Sequence, residues 1–261
     1  MVGDSPQSIS LHTNGLARFS IVRDMEQVNM HIKAVIFDLD GTLANFNLDY
    51  KTVRALVKGY LMNRGVPTEI LSLKESVFEM LGKAEIWARN TGKSEDFLDE
   101  IRREALATTE GYEVEAAGRT SLFPGVMDTL KALRAMDLKI GLCTINSEKS
   151  VNRILERFGI ATLFDVTISR NQVKHVKPDP EHLQSALKVL EVSPEVTVVV
   201  GDSRVDMQSA KRLGAIAVGL PTGVSSIGQL MDAGADYVVT SMVDLPLLVE
   251  RLQKTNVKGE P

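Results

Sequence analysis

The chain has 261 residues, 44% of them hydrophobic and 25% charged, with a formal net charge of −4. That balance suits a soluble globular protein with one large core, or a core plus a smaller lobe, and it excludes wholesale disorder. Net acidity without a Lys/Arg run longer than a pair argues against nucleic acid as partner, and no apolar run approaches the ~20 residues that a membrane span needs.

The first segment, 1–32, is polar apart from the short phrase "FSIV", and lacks the apolar centre of a signal peptide. It is expected to be a loose, disordered extension, with a small added strand as the alternative. The first strand is "AVIF" (34–37), which runs directly into Asp38-Leu39-Asp40-Gly41-Thr42. From 45 to 121 no β run appears, yet apolar residues recur at helical spacing, as in Val53, Leu56, Val57, Tyr60 and Leu61, and again in Phe97, Leu98, Ile101, Ala105 and Leu106. This predicts a helical insertion broken at "NRGVPTE" and "RNTGKSED", with Trp87 read as its core anchor in preference to a stacking platform. A hinge is expected where the insertion joins, near Leu43 to Asn45 and Ser121 to Pro124.

Beyond 122, β-branched runs alternate with amphipathic stretches. The strands are "KIGLC" (139–143), "VTVVV" (196–200), "IAVGL" (216–220) and "YVVT" (237–240). The predicted helices are 124–136, 148–158, 180–190, 205–213 and 243–253. Asn146 or Ser147 can cap the 148–158 helix and Gly159 follows it. Runs without polar alternation belong to strands covered on both faces. The prediction is therefore an α/β fold, a doubly wound parallel sheet over 33–44 and 122–255, with an inserted α-helical domain over 45–121. The single cysteine, Cys143, lies inside an apolar run, so it reads as core packing; without an internal disulfide, a reducing, cytoplasmic setting is expected.

Three strands end in polar groups: Asp38 and Asp40; Thr144, Asn146 and Ser147; and Gly201, Asp202 and Asp206. In an open parallel sheet ligands bind outside the carboxyl ends of the strands, which brings these groups to one crevice. Singly, each aspartate reads as a turn residue or helix cap. Together, Asp38, Asp40, Asp202 and Asp206 repel one another unless a cation lies between them, and oxygen-only ligands favour magnesium over zinc. Phosphate is the matching substrate group. Thr144 and Asn146 can donate near a helix N-terminus, Gly41 and Thr42 offer backbone N–H groups, and Lys177 in "VKPDP" adds positive charge. Arg170 and His175, which flank that loop, read as solvated.

These four motifs in order, D-x-D-G-T at 38–42, Thr144, Lys177 in K-P-D-P and G-D-x-x-x-D at 201–206, resemble those of the haloacid dehalogenase superfamily. The closing phrases "GDSRVDMQSAKRLGAIAVGL" and "GADYVVTSMVDLPLL" are similar to those of its phosphoglycolate phosphatase-like branch with a helical cap. The resemblance implies a Rossmann-like core and covalent phosphoryl transfer on Asp38, with Asp40 as general acid and base. It further implies Mg2+ held by the Asp38 carboxylate, the Asp40 backbone carbonyl and Asp202, with Asp206 behind or bound through water. Gly41, Thr42, Thr144, Asn146 and Lys177 are the expected phosphate-binding residues. The chain departs from the commonest pattern in reading Thr-Ile-Asn where many relatives read Thr-Asn. The expected activity is hydrolysis of a small phosphorylated metabolite, of the phosphoglycolate or sugar-phosphate type, by a monomer or homodimer. A phosphosugar mutase shares every motif, and a silent binding module of the same fold is the alternative from a different class; intact Asp38 and Asp40 argue against it. Lys51, Arg54, Arg89 and Lys93 are read as solvated cap residues.

Overall fold

The structure, a computed structural model, describes residues 10–11, 19–21, 31–45 and 47–254. Two short strands, β1 (Ser10–Leu11) and β2 (Phe19–Ile21), precede β3 (Ala34–Phe37). Most of the expected extension over 1–32 lies outside the described residues; within it, part of "FSIV" forms β2, which pairs antiparallel with the edge of the sheet.

The chain leaves the core after β4 (Ala44–Asn45) and returns at β5 (Ser121–Leu122), and these two pair antiparallel as a short ribbon. Between them lie α1 (Tyr50–Asn63), α2 (Val77–Asn90) and α3 (Glu95–Ala117). Each starts on a side-chain cap that takes an otherwise unpaired N–H: Asp49 for α1, Ser94 for α3, and Ser76 with Glu79 as a reciprocal box for α2. Val53, Val57, Leu61, Met80, Leu81, Ala84, Ile101 and Ala105 are buried together. Trp87 packs against this cluster with its ring centroid 6.5 Å from that of Phe97, as an anchor does. Leu56, counted in the same periodic set, is exposed. The chain divides into two compact units, one formed by Asn47–Arg119 with Lys149–Arg153, the other by Met1–Phe46, Thr120–Glu148 and Ile154–Pro261.

After β5, α4 (Val126–Ala135), β6 (Lys139–Cys143), α5 (Glu148–Phe158), β7 (Val166–Ile168), α6 (Pro180–Leu190), β8 (Thr197–Gly201), α7 (Arg204–Leu213), β9 (Ile216–Gly219), α8 (Ile227–Asp232), β10 (Tyr237–Val239) and α9 (Leu245–Lys254) follow in order. The strands lie in the order β1-β2-β10-β9-β8-β3-β6-β7, and the six from β10 to β7 are parallel. Ala34, Ile36, Cys143, Val199 and Ala217 pack with Leu183, Ala186 and Leu187 of α6 and Met207 and Ala210 of α7. By the alternation of strand side chains, Val35, Phe37, Ile140 and Leu142 serve the opposite face, where α4 packs on β6 and on α9. Every residue of β3 is fully buried, so truncating Phe37 to alanine costs about 3–5 kcal/mol. Among the described residues no helix is long and apolar enough to cross a membrane. Sequence periodicity missed β7 and α8, which have three and six residues.

Candidate active site

Register decides what meets at the sheet edge. Phe37 of β3 pairs with Leu142 of β6 on one side and Val200 of β8 on the other. The residues that follow, Asp38, Cys143-Thr144 and Gly201-Asp202, therefore emerge level with one another. The Asp38 N–H still donates to the Val200 carbonyl at 2.9 Å, which fixes its backbone before the chain turns. In the turn, Leu43 and Ala44 donate to the Leu39 carbonyl and Gly41 donates to the Ala44 carbonyl. Gly41 adopts φ +77°, a left-handed conformation that side chains disfavour. A Cβ there would also lie 2.6 Å from Asp202 Oδ2.

Within the turn the Gly41 and Thr42 N–H groups face the Ala44 and Leu39 carbonyls, at 2.8 and 3.4 Å. Gly41 supplies room beside Asp202, and Thr42 directs its hydroxyl to Asp202 Oδ1 at 3.4 Å.

Lys177 is buried at the centre. Its Nζ donates to Asp38 Oδ1 at 2.6 Å, to Asp206 Oδ1 at 2.6 Å and to the Cys143 carbonyl at 2.8 Å, which uses all three of its protons. Asp206 also closes a capping box at the start of α7, accepting from the Ser203 N–H and hydroxyl on Oδ2. Both of its oxygens are thus engaged in holding Lys177 and the helix start. Carboxylate oxygens of Asp38, Asp202 and Asp206 lie within 4.8 Å of one another, all buried.

Three acids face one ammonium. Burial pushes the Asp38 carboxyl up to about 6 even though Lys177 pulls it down. Burial, then the charges of Asp38 and Asp206, raise Asp202 to about 8. For Lys177 burial disfavours the charge, but Asp206 and Asp38 outweigh it and raise its pKa above the ordinary value. The lysine stays charged, and the ionised form of Asp202 is disfavoured beside the other two acids. A second group of ligand-type atoms, from His175, Asp179 and Glu181, lies nearer the surface; there Glu181 accepts from the Lys174 and His175 N–H groups and so caps the loop.

After β6, Thr144 is buried and its hydroxyl accepts the Asn146 N–H at 3.2 Å. The Asn146 side-chain amide donates to Asp40 Oδ1 at 2.9 Å, so it orients that acid. It is Asn171 that accepts the Glu148 N–H at the start of α5. Arg170, expected to be solvated, is buried and donates to the Ile145 carbonyl at 3.1 Å, while its N–H donates to the Asn146 carbonyl. A guanidinium in the sequence looks solvated because its acceptors here are backbone carbonyls distant in the chain. Cys143 is buried, its thiol pushed up to about 12 chiefly by desolvation, which leaves it inert.

The loop between β9 and α8 was not legible as part of the site. Thr222 donates its hydroxyl to the Gly41 carbonyl, and the Val224 N–H donates to Asp202 Oδ2 at 2.8 Å. The only hint in the sequence was a Thr-Gly pair soon after a strand.

A family model described as haloacid dehalogenase-like hydrolase matches residues 32–214. A phosphoglycolate phosphatase of Salmonella paratyphi A is 34% identical over 230 residues, covering 82% of this chain and 91% of that protein. Pyrophosphatase PpaX of Oceanobacillus iheyensis is 27% identical over 222 residues, covering 84% and 98%. The crystal structure of a hydrolase from Pseudomonas syringae matches with a TM-score of 0.60 at 24% identity, covering 84% of this chain and 98% of that one, a likeness of fold.

Proposed function

The chain belongs to the haloacid dehalogenase-like hydrolases, and from that premise we propose that it is a magnesium-dependent phosphatase acting on a small phosphorylated metabolite through a phosphoaspartyl intermediate. The observation that carries this reading is the buried Lys177 bridging Asp38 and Asp206 next to Asp202, with Asp40 held by Asn146.

Three buried acids, Asp38, Asp202 and Asp206, share the single Lys177 ammonium, and the donors are all oxygens, which suits a hard divalent cation. The Asp38 and Asp202 carboxylates and the Asp40 carbonyl would hold Mg2+, with Asp206 behind them anchoring Lys177. When bound, the cation supplies positive charge against the phosphoryl oxygens and screens the dianion from Asp38.

The chain's own residues then divide the work. Lys177 keeps Asp38 ionised and fixes its oxygen; that oxygen attacks phosphorus as the bond to the leaving oxygen breaks, and Asp40 gives the leaving oxygen its proton. In the second half Asp40 takes a proton from water, the water oxygen attacks phosphorus, and the bond to Asp38 breaks to release inorganic phosphate. Asn146 keeps the Asp40 carboxyl aimed at the leaving side. The Thr144 hydroxyl is the donor for the transferred group, and the Lys177 ammonium, whose three protons go to Asp38, Asp206 and the Cys143 carbonyl, sets its positive charge beside that group. Phosphoglycolate and sugar phosphates are the favoured substrates, in line with the phosphoglycolate phosphatase among the relatives.

The test is phosphate release from phosphoglycolate, sugar phosphates, nucleotides and pyrophosphate, with and without magnesium, by wild type and Asp38→Asn. Expected is magnesium-dependent release by wild type, its loss in the variant, and an acid-stable label on wild type after quenching with 32P-substrate. Equal inactivity of both proteins across the panel sinks the enzyme reading. Sugar-phosphate isomerisation faster than phosphate release replaces it with a mutase.

A further inference from the structure

The loop after β9 does more than close the sheet edge. Asp202 Oδ2 accepts the Val224 N–H at 2.8 Å and Oδ1 faces the Thr42 hydroxyl at 3.4 Å, so both oxygens are oriented. A Cβ added at Gly223 would overlap the Asp202 carboxylate and lie 2.9 Å from the Gly41 Cα. Gly223 does not share the left-handed φ recorded for Gly41, so what it contributes is the absence of a side chain. Thr222 closes the contact from the other side by donating to the Gly41 carbonyl. The Leu220 N–H ties the loop's base to Gly201, the residue before Asp202. The Val224 side chain, 79% exposed, takes no part, which leaves its N–H as the working group.

We infer that Thr222, Gly223 and the Val224 N–H are positioning elements that clamp the Asp202 carboxylate against the Asp38–Thr42 turn and so set the affinity for the divalent cation. This rests on the metal reading above. A carboxylate side chain can turn about its own bonds; here a backbone donor holds one oxygen, and two glycines meeting face to face allow the loop close enough to provide it. Groups that orient a ligand in this way typically change metal affinity about 10–100-fold when lost.

The test uses the full chain stripped of metal and titrated calorimetrically with Mn2+ and with Mg2+, alongside melting temperatures in EDTA and in excess metal. Gly223→Ala is expected to bind metal at least about tenfold more weakly while melting in EDTA as wild type does, a split that a merely structural role would not produce. Thr222→Val is expected to weaken binding several-fold in the same way. Gly228→Ala, in α8 where a Cβ meets open space, serves as the control and binds as wild type. Wild-type affinity in Gly223→Ala overturns the inference; should that variant fail to fold, wild-type affinity in Thr222→Val does so. If wild type itself binds neither cation, the metal reading falls first and this inference with it.

Discussion

Replacing Lys177 by methionine keeps most of the side-chain volume and removes only the ammonium. The lost group makes contacts of 2.6, 2.6 and 2.8 Å to Asp38, Asp206 and the Cys143 carbonyl, and its side chain is 3% exposed. Removing one partner of a buried pair leaves charge without compensation and costs about 3–5 kcal/mol. In a protein of this size that lowers the melting temperature by roughly 6–20 °C. Asp38 can relieve part of the penalty by taking up a proton. Its folded pKa, already raised from 3.8 to about 6, then lies further above the unfolded value, and such an acid loses stability as pH rises. The deficit is therefore smallest near pH 5 and grows toward pH 8. Urea unfolding of wild type and Lys177→Met in EDTA at pH 5, 6.5 and 8 measures it. Equal stability at pH 8, or a deficit that shrinks with pH, would refute the claim that this lysine balances the buried acids.

Asn146→Ala leaves Asp40 without its amide donor and is expected to lower kcat about tenfold to a thousandfold with metal binding unchanged, read by steady-state kinetics and calorimetry. His182 is buried, with Nδ1 accepting the Lys177 N–H and Nε2 facing the Ile168 carbonyl, and burial, then Lys177, lowers its pKa to about 4. A histidine depressed in the fold contributes stability that is whole above pH 6.5 and lost as pH falls toward 4. The full swing is about 3 kcal/mol. His182→Gln should flatten that part of the stability profile, and an unchanged acid limb would show that other groups set it.

The strands that carry the site were legible because burial on both faces left an unmixed signal: "AVIF" and "KIGLC" coincide with β3 and β6. The side-chain chemistry was legible for a related reason, since aspartates and a threonine that end apolar strands in a parallel sheet have few other places to go. What the residues could not reveal is the work of backbone atoms. The Val224 N–H and the Gly223 void have no sequence signature, and they belong to a loop whose neighbour, Gly41, lies some 180 residues away along the chain, the hydroxyl bond of Thr222 spanning 181 positions. The same limit hid Arg170, which is buried with its guanidinium on the Ile145 carbonyl, and the contacts of the Gly41 and Thr42 N–H groups within their own turn. β7 and α8 escaped because neither is long enough to display a period.

A site with this charge imbalance opposes the stability of the fold that carries it, and Asp202 is where the opposition can be measured. Its carboxyl is raised from 3.8 to about 8 by burial and by Asp38 and Asp206. An acid raised in the fold does no harm below its unfolded pKa; the penalty accumulates as pH rises from about 4 and is complete near 8. Four pKa units correspond to about 5 kcal/mol, an upper figure because Asp202 is not wholly enclosed. Asparagine suits the same contacts, its carbonyl oxygen accepting the Val224 N–H and its amide donating to the Thr42 hydroxyl. Asp202→Asn in EDTA should therefore be more stable than wild type, by a margin that widens from pH 5 to pH 8. In excess magnesium the order reverses, because only wild type gains from binding the cation. Denaturation of both proteins under the four combinations of pH and metal decides the matter. If Asp202→Asn is the less stable protein in EDTA at pH 8, the carboxylate is part of the scaffold and the charge argument for a metal site loses its footing.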